Sequence, residues 1–213
     1  MIHGYDRIYL EQTRVSLGRM FDFAVYDLKQ DLTSFVDMFI TSGVAELFEK
    51  GNVKTIAGSS GVELAYEVMD RTFGYCERIE PRFTVERSRE YWAGWALAYY
   101  QWESKLSFKE IVREIPVSEI VELYSPYHEM DILQFVDCMN ELYMQRHKNT
   151  NLKYFRLKIG MTQKELSQLS EIPLRTIQQY EQRQKNINKA QAEYLVNLSD
   201  ILHCRPRELL EKL

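Results

Sequence analysis

MTQKELSQLSEIPLRTIQQYEQR, residues 161–183, decides how the carboxyl-terminal third of this chain is built. Thr162 is a natural helix N-cap, and Glu165 three residues on completes a capping box that satisfies two otherwise unpaired groups at a helix start. Leu166 and Leu169 then fall on one helical face. Ser170-Glu171-Ile172-Pro173 interrupts the run, and Ile177 and Tyr180 supply the apolar face of a second helix. The outward positions of that second helix are Arg175, Thr176, Gln178, Gln179 and Gln182, with no carboxylate among them. Arg forks onto guanine, Gln pairs with adenine, and Thr offers a hydroxyl and a methyl group. Such an edge suits the major groove of duplex DNA.

Several pieces around this stretch match one family. Arg156, TQKELSQLS, RTIQQYEQR and the closing NINKAQAEYLVNLSDILHCRPRELLE give residues 151–213 a close resemblance to the Xre/Cro repressor-like helix-turn-helix family. The resemblance implies a five-helix, lambda-repressor-like unit in which Gln163 opens the second helix against a phosphate. It implies that Leu174, Arg175, Thr176, Gln178 and Gln179 enter the major groove and read bases. Phosphates are then expected at Gln163, Gln182, Arg183, Lys185 and Asn186. It also implies an internal ion pair between Arg156 and Glu181. The chain departs from the family at Glu171, where Gly is usual, at Pro173, where Ser is usual, and at Ser167, where Ala is usual.

Composition sets the outer bounds. A chain of 213 residues with 45% hydrophobic and 27% charged content reads as one or two globular domains able to bury a core. No apolar run approaches the ~20 residues of a membrane span. The first residues, MIHGYDRIYLEQTR, lack the basic-then-apolar pattern of an export signal, so a cytoplasmic protein is expected. Cys76, Cys138 and Cys204 are odd in number and widely spaced, which argues for reduced thiols rather than a disulfide or zinc framework. No cofactor and no metal are expected. The net charge of −4 divides unevenly: residues 150–213 carry 11 Lys and Arg against 7 Asp and Glu, and residues 1–149 carry 16 against 24. A basic reader (net +4) therefore follows an acidic partner region (net −8), as a DNA-binding module with a non-binding companion requires.

Strand signals are nearly absent, so the expected class is all-α, a helical bundle over 1–147 followed by the DNA-binding domain over 151–213. Apolar spacing at Ile8, Val15, Met20, Phe23, Ala24 and Leu28 predicts one long helix over 5–30, or two with a bend near Gly18. Asp31 caps a helix lined by Leu32, Phe35, Val36, Phe39 and Ile40. Val44 to Lys50 is a third, stopped by Gly51. Val53 to Ala57 reads as briefly extended. Gly58-Ser59-Ser60-Gly61 has neither the nucleophile-elbow spacing nor the lysine of a phosphate loop. Ser60 with Glu63 instead caps a helix over 62–73, and a loop over 76–85 follows.

RSREYWAGWALAYYQWESK, residues 87–105, carries an aromatic stripe at Trp92, Trp95, Tyr99 and Trp102. The plainer reading is the central core helix of the first domain, with Tyr91, Tyr100 and Gln101 to the sides; the other is a groove for a partner helix or small ligand. Ser107 with Glu110 caps Phe108–Glu114, Pro116 stops it, and Ser118 starts a helix over 119–124. The last helix of the region runs to about His147, with Ile132, Phe135, Val136, Met139 and Leu142 inward. His128-Glu129 falls short of H-E-x-x-H, and no catalytic set is found, so an enzyme is not expected. The polar run 146–151 marks the domain boundary. Beyond it, Leu152, Phe155 and Ile159 face inward, Asn188 with Gln191 caps the fourth helix of the unit, and Pro206 opens the fifth.

The expected function is a sequence-specific regulator of double-stranded DNA acting as a homodimer, with no membrane association. The alternative is an antitoxin-like protein whose first domain binds and neutralises a partner protein while the second regulates its own expression. The portion 32–69 bears a second, weaker resemblance to short helical proteins associated with ADP-ribosyltransferase-like toxins.

Overall fold

The computed structural model describes residues 4–82, 86–146 and 149–211. The fold is all-α, and among the described residues it contains α-helices and short 3-10 turns but no strand. It splits into two compact units that divide between Tyr143 and Met144. Parts of the expected 76–85 loop and 146–151 boundary run lie outside the described residues.

The first unit is organised on α1 (Leu10–Tyr26), which lies against both α6 (Arg89–Ser104) and α5 (Gly61–Phe73). A 3-10 turn over Arg7–Tyr9 precedes α1. Helical spacing does not extend back through that turn, so Ile8 is exposed rather than inward. Gly18 makes no bend either, and its role is to admit a neighbour. A Cβ there would stand 2.8 Å from the Tyr91 carbonyl oxygen, and one at Gly94 would stand 2.7 Å from that of Leu17. The α1 and α6 backbones therefore meet at a paired-glycine crossing that no larger residue permits.

Helix α6 differs from its expected form. It is buried on most of its circumference, including Tyr91, Tyr100 and Gln101, which the spacing sets to the sides of the stripe. Trp92 packs edge-on to Tyr124 and Phe135 in the main core. Trp102 belongs to a smaller cluster with Tyr5, Leu10 and Ile56, and its indole N–H donates to the Tyr5 carbonyl at 3.1 Å. Trp95 and Tyr99 are only half-buried, with the Arg14 guanidinium 3.3 Å over the Trp95 ring and 4.9 Å over that of Tyr99. The four aromatics do not line one groove.

Around this pair sit α2 (Leu32–Thr41), α3 (Val44–Glu49), α4 (Val53–Ile56), α7 (Phe108–Glu114), α8 (Val117–Glu122), α9 (Tyr124–Tyr127) and α10 (Ile132–Arg146). Caps fix most of the starts: Asp31 accepts from the Ser34 N–H, and Ser60/Glu63 and Ser107/Glu110 form complete capping boxes. Residues 53–57 are not extended. Asn52 caps them into the single turn α4 by accepting from Thr55 N–H. Nor does Ser118 start a helix over 119–124, because Pro116 stands at the N-cap of α8, whose first residue is Val117. The irregular segment after α5 is pinned by polar contacts: Arg78 to Asp70, the Ile79 N–H to the Tyr66 hydroxyl at 2.8 Å, and the Arg82 N–H to Asp27 at 2.8 Å.

The second unit holds α11 (Asn151–Lys158), α12 (Gln163–Ser170), α13 (Leu174–Glu181) and α14 (Ala192–Ile201) around Leu152, Leu166, Ile172, Ile177, Tyr180, Ile187, Leu198, Leu202 and Leu209. Four expectations fail here. Ile159 lies past the end of α11 and is exposed, and Leu169 is exposed while Ser170 takes the buried place beside Leu166. Asn188 does not cap α14, whose N-cap Gln191 makes no side-chain bond; its amide instead exchanges bonds with the Glu211 backbone. The fifth helix is only a 3-10 turn, Pro206–Glu208.

The Gly18–Gly94 crossing generates a direct test. Gly94→Ala should force α1 and α6 apart and destabilise the first unit by about 1–3 kcal/mol, an overpacking cost. All three tryptophans lie on α6, so urea unfolding followed by tryptophan fluorescence reads this unit directly. An unchanged midpoint would show that the crossing is not tight.

Candidate nucleic-acid interface

Helix α12 starts from a local device. Thr162 Oγ1 accepts from the Glu165 N–H, and the Glu165 carboxylate accepts from the Thr162 N–H at 2.7 Å and from its hydroxyl. These bonds, that of the Thr162 backbone first, hold the Glu165 carboxyl below the usual range. A depressed acid stabilises the folded state fully above its unfolded pKa and ceases to do so as pH falls through the folded value. The contribution of this cap is therefore complete at neutral pH and disappears only in the acid range below that of an ordinary glutamate.

Glu181, in the last turn of α13, is the one carboxylate of that helix, and it is turned inward. Arg156 grips it through Nε at 2.6 Å and Nη2 at 2.8 Å, with the two side chains 8% and 2% exposed. The third guanidinium nitrogen donates to the Met161 carbonyl at 2.7 Å. Gln163 adds its amide N–H to the same carboxylate at 2.7 Å. Hydrogen bonding to Glu181 raises the Arg156 pKa further, so the guanidinium stays charged. One buried carboxylate thus joins α11, the first residue of α12 and the end of α13.

With Glu181 removed from its surface, α13 presents hydrogen-bonding and apolar groups alone. Arg175 and Gln182 are exposed, Thr176, Gln178 and Gln179 are half-buried, and Leu174 at the helix start is 37% exposed. Ile177 and Tyr180 are buried on the opposite side. The five residues expected to read bases therefore share one helix and one accessible edge.

The residues expected to hold phosphates are less uniform. Gln163 is half-buried and already engaged with Glu181. Arg183, in the left-handed region at φ 56°, lies 3.6 Å from Glu211, so its charge is partly matched within the unit. Lys185 is exposed, with its ammonium 5.6 Å over the Tyr180 ring. Asn186 accepts from the Asn188 N–H and caps a 3-10 turn over Ile187–Lys189. Tyr180, Arg183, Lys185, Asn186, Ile187, Asn188 and Glu211 line a cavity of about 180 Å³.

Sequence reading passes over Glu211 altogether. Its carboxylate accepts from the Asn151 N–H at 2.7 Å, tying the start of α11 to the end of the unit and to the 183–188 loop. Nothing local marks it, because its partner lies 60 residues away. Elsewhere in the chain, His128 stacks on Tyr124 and its Nδ1 pairs with the Tyr124 carbonyl, while Nε2 lies 3.5 Å from Glu129. Among the described residues no group of three or more His, Cys, Asp and Glu is placed to hold a metal, and no helix is long and apolar enough to cross a membrane.

Residues 152–209 match the helix-turn-helix family model, and this segment is a helix-turn-helix of the Xre/Cro-like kind. No curated protein and no solved structure matches the chain. The segment supplies a DNA-binding unit.

Arg156→Met should destabilise this unit by about 3–5 kcal/mol, because it leaves Glu181 charged and buried without its main partner. The double variant Arg156→Met/Glu181→Met should recover most of that loss, since an apolar pair is often neutral in such a site. Amide hydrogen exchange of residues 152–209 under increasing urea measures both. Equal stability of the single variant and the parent would remove the pair from its structural role.

Proposed function

We propose that this protein is a sequence-specific DNA-binding regulator that reads the major groove with residues 174–182 and acts as a dimer. The observation that carries the reading is the inward burial of Glu181 beneath an edge of Leu174, Arg175, Thr176, Gln178, Gln179 and Gln182. A carboxylate on that edge would repel the phosphates flanking the groove. Its withdrawal leaves one cation, amide donors and acceptors, and a small apolar contact, which together match the base-edge code.

Arg175, at the second position of α13, serves guanine by a bidentate bond, and Gln178 and Gln179 serve adenine. Leu174 lies where a thymine methyl would find an apolar partner. Lys185 and Asn186 in the loop after α13, with Gln163 at the start of α12, set register on the sugar-phosphate backbone. Gln163 holds its orientation through Glu181, so the amide arrives at a phosphate already fixed. The N-terminus of α12 adds its own positive dipole end.

Dimerisation follows from arithmetic. An eight-residue helix reaches only a few base pairs, and a net charge of +4 on residues 150–213 gives little non-specific affinity at physiological salt. Two copies reading half-sites about 34 Å apart supply the missing contacts. The acidic region ahead of it, net −8 over residues 1–149, adds no attraction for DNA and is the natural place for a dimer contact, an effector or a protein partner.

Two substitutions separate the roles. Arg175→Ala should cost about 1–3 kcal/mol per half-site and relax preference at one base pair, whereas Lys185→Ala should weaken binding to all sequences alike and flatten the salt dependence. A gel-shift series on permuted duplexes reads both effects. Unchanged affinity and preference in Arg175→Ala would rule out this docking.

A further inference from the structure

The joint between α12 and α13 lacks two common fixings. Glu171, which ends α12, sits at φ 57° and ψ 19°, the left-handed region where a side chain is strained and glycine is favoured. Helix α13 begins behind Pro173, which makes no side-chain cap bond and has no backbone N–H. The start of α13 therefore has no side-chain cap to hold it. Ser167 supplies the constraint instead, its hydroxyl donating to the Ile172 carbonyl at 2.6 Å. Ile172 is 1% exposed, so this bond forms against the core. The carbonyl belongs to the peptide that leads into Pro173, and fixing its plane fixes the direction in which α13 departs. Asn197 of α14 reaches the same region through its amide, at 3.4 Å from the Ser170 carbonyl.

A small error at this joint has a large consequence at the groove. Eight helical residues span about 12 Å, so a tilt of about 10° at Pro173 moves the far end of α13 by about 2 Å. Hydrogen bonds to base edges tolerate only a few tenths of an ångström. Phosphate contacts, made by long or flexible side chains, tolerate far more.

Building on the docking of α13 proposed above, we propose that Ser167 is a positioning residue for base reading. Its hydroxyl touches no base; it sets the angle at which Arg175, Gln178 and Gln179 meet the groove. Loss of the hydroxyl should therefore reduce selective binding while sparing general attraction to DNA.

The test uses the full chain and two duplexes: one enriched by the parent protein from a random pool, and a scrambled version of it. Ser167→Ala should bind the enriched duplex about tenfold more weakly, one neutral hydrogen bond's worth. Its affinity for the scrambled duplex should stay within about twofold, since that term is phosphate attraction. Ser167→Thr, which retains the hydroxyl, should restore most of the selectivity. A parent-like ratio of the two affinities in Ser167→Ala would overturn the assignment. So would an equal loss on both duplexes accompanied by a lower Tm, the mark of a merely structural serine. If the parent protein enriches no sequence at all, the DNA-reading proposal itself fails and takes this one with it. If the parent selects and Ser167→Ala selects equally well, only the role of Ser167 fails.

Discussion

The buried ion pair between Arg156 and Glu181 is the constraint on which the carboxyl-terminal unit depends. It joins three helices through one carboxylate, with Gln163 as the third arm. A charge so deeply buried is costly unless every lone pair is satisfied, and here each oxygen receives a donor. The same pair also clears the outer edge of α13. Were Glu181 facing outward, the helix would carry a negative charge at the end of its proposed reading edge.

The first unit obeys a different rule. Its centre is the glycine-mediated crossing of α1 and α6, and large aromatic side chains fill the space on either side. Its polar chemistry is mostly spent on itself: Arg19 and Ser88 hold Asp22, Arg82 holds Asp27, and Arg78 holds Asp70. These contacts pin an irregular segment to a helical frame. They form neither a nucleophile with its base nor a paired acid set.

Features whose cause lies within four residues were the readable ones. The caps at Asp31, Ser60, Ser107 and Thr162 are written in the sequence because donor and acceptor are neighbours along the chain. Periodicity identified which residues share a face of α6, but not how many helices surround it. For that reason the stripe containing Trp95 and Tyr99 reads as the core face, when the helix is buried nearly all round and these two are its wetter members. At the interface, the outward set on α13 was legible because Ile177 and Tyr180 mark the opposite face. The Arg156–Glu181 pairing, 25 residues apart, is available only from family resemblance. The bonds from Gln163 to Glu181 and from Glu211 to Asn151 carry no sequence signal, because they exist only once the helices have packed. Short range misled too: Asn52 and Pro116 override the apparent strand at 53–57 and the apparent start at Ser118.

Selection of duplex DNA from a random pool by the full-length protein addresses the central claim most directly. An exposed edge freed of carboxylate and fixed to a rigid unit should recover one sequence, arranged as two related half-sites about one helical turn apart. Recovery of an unenriched pool, or of no DNA at moderate salt, would contradict the account.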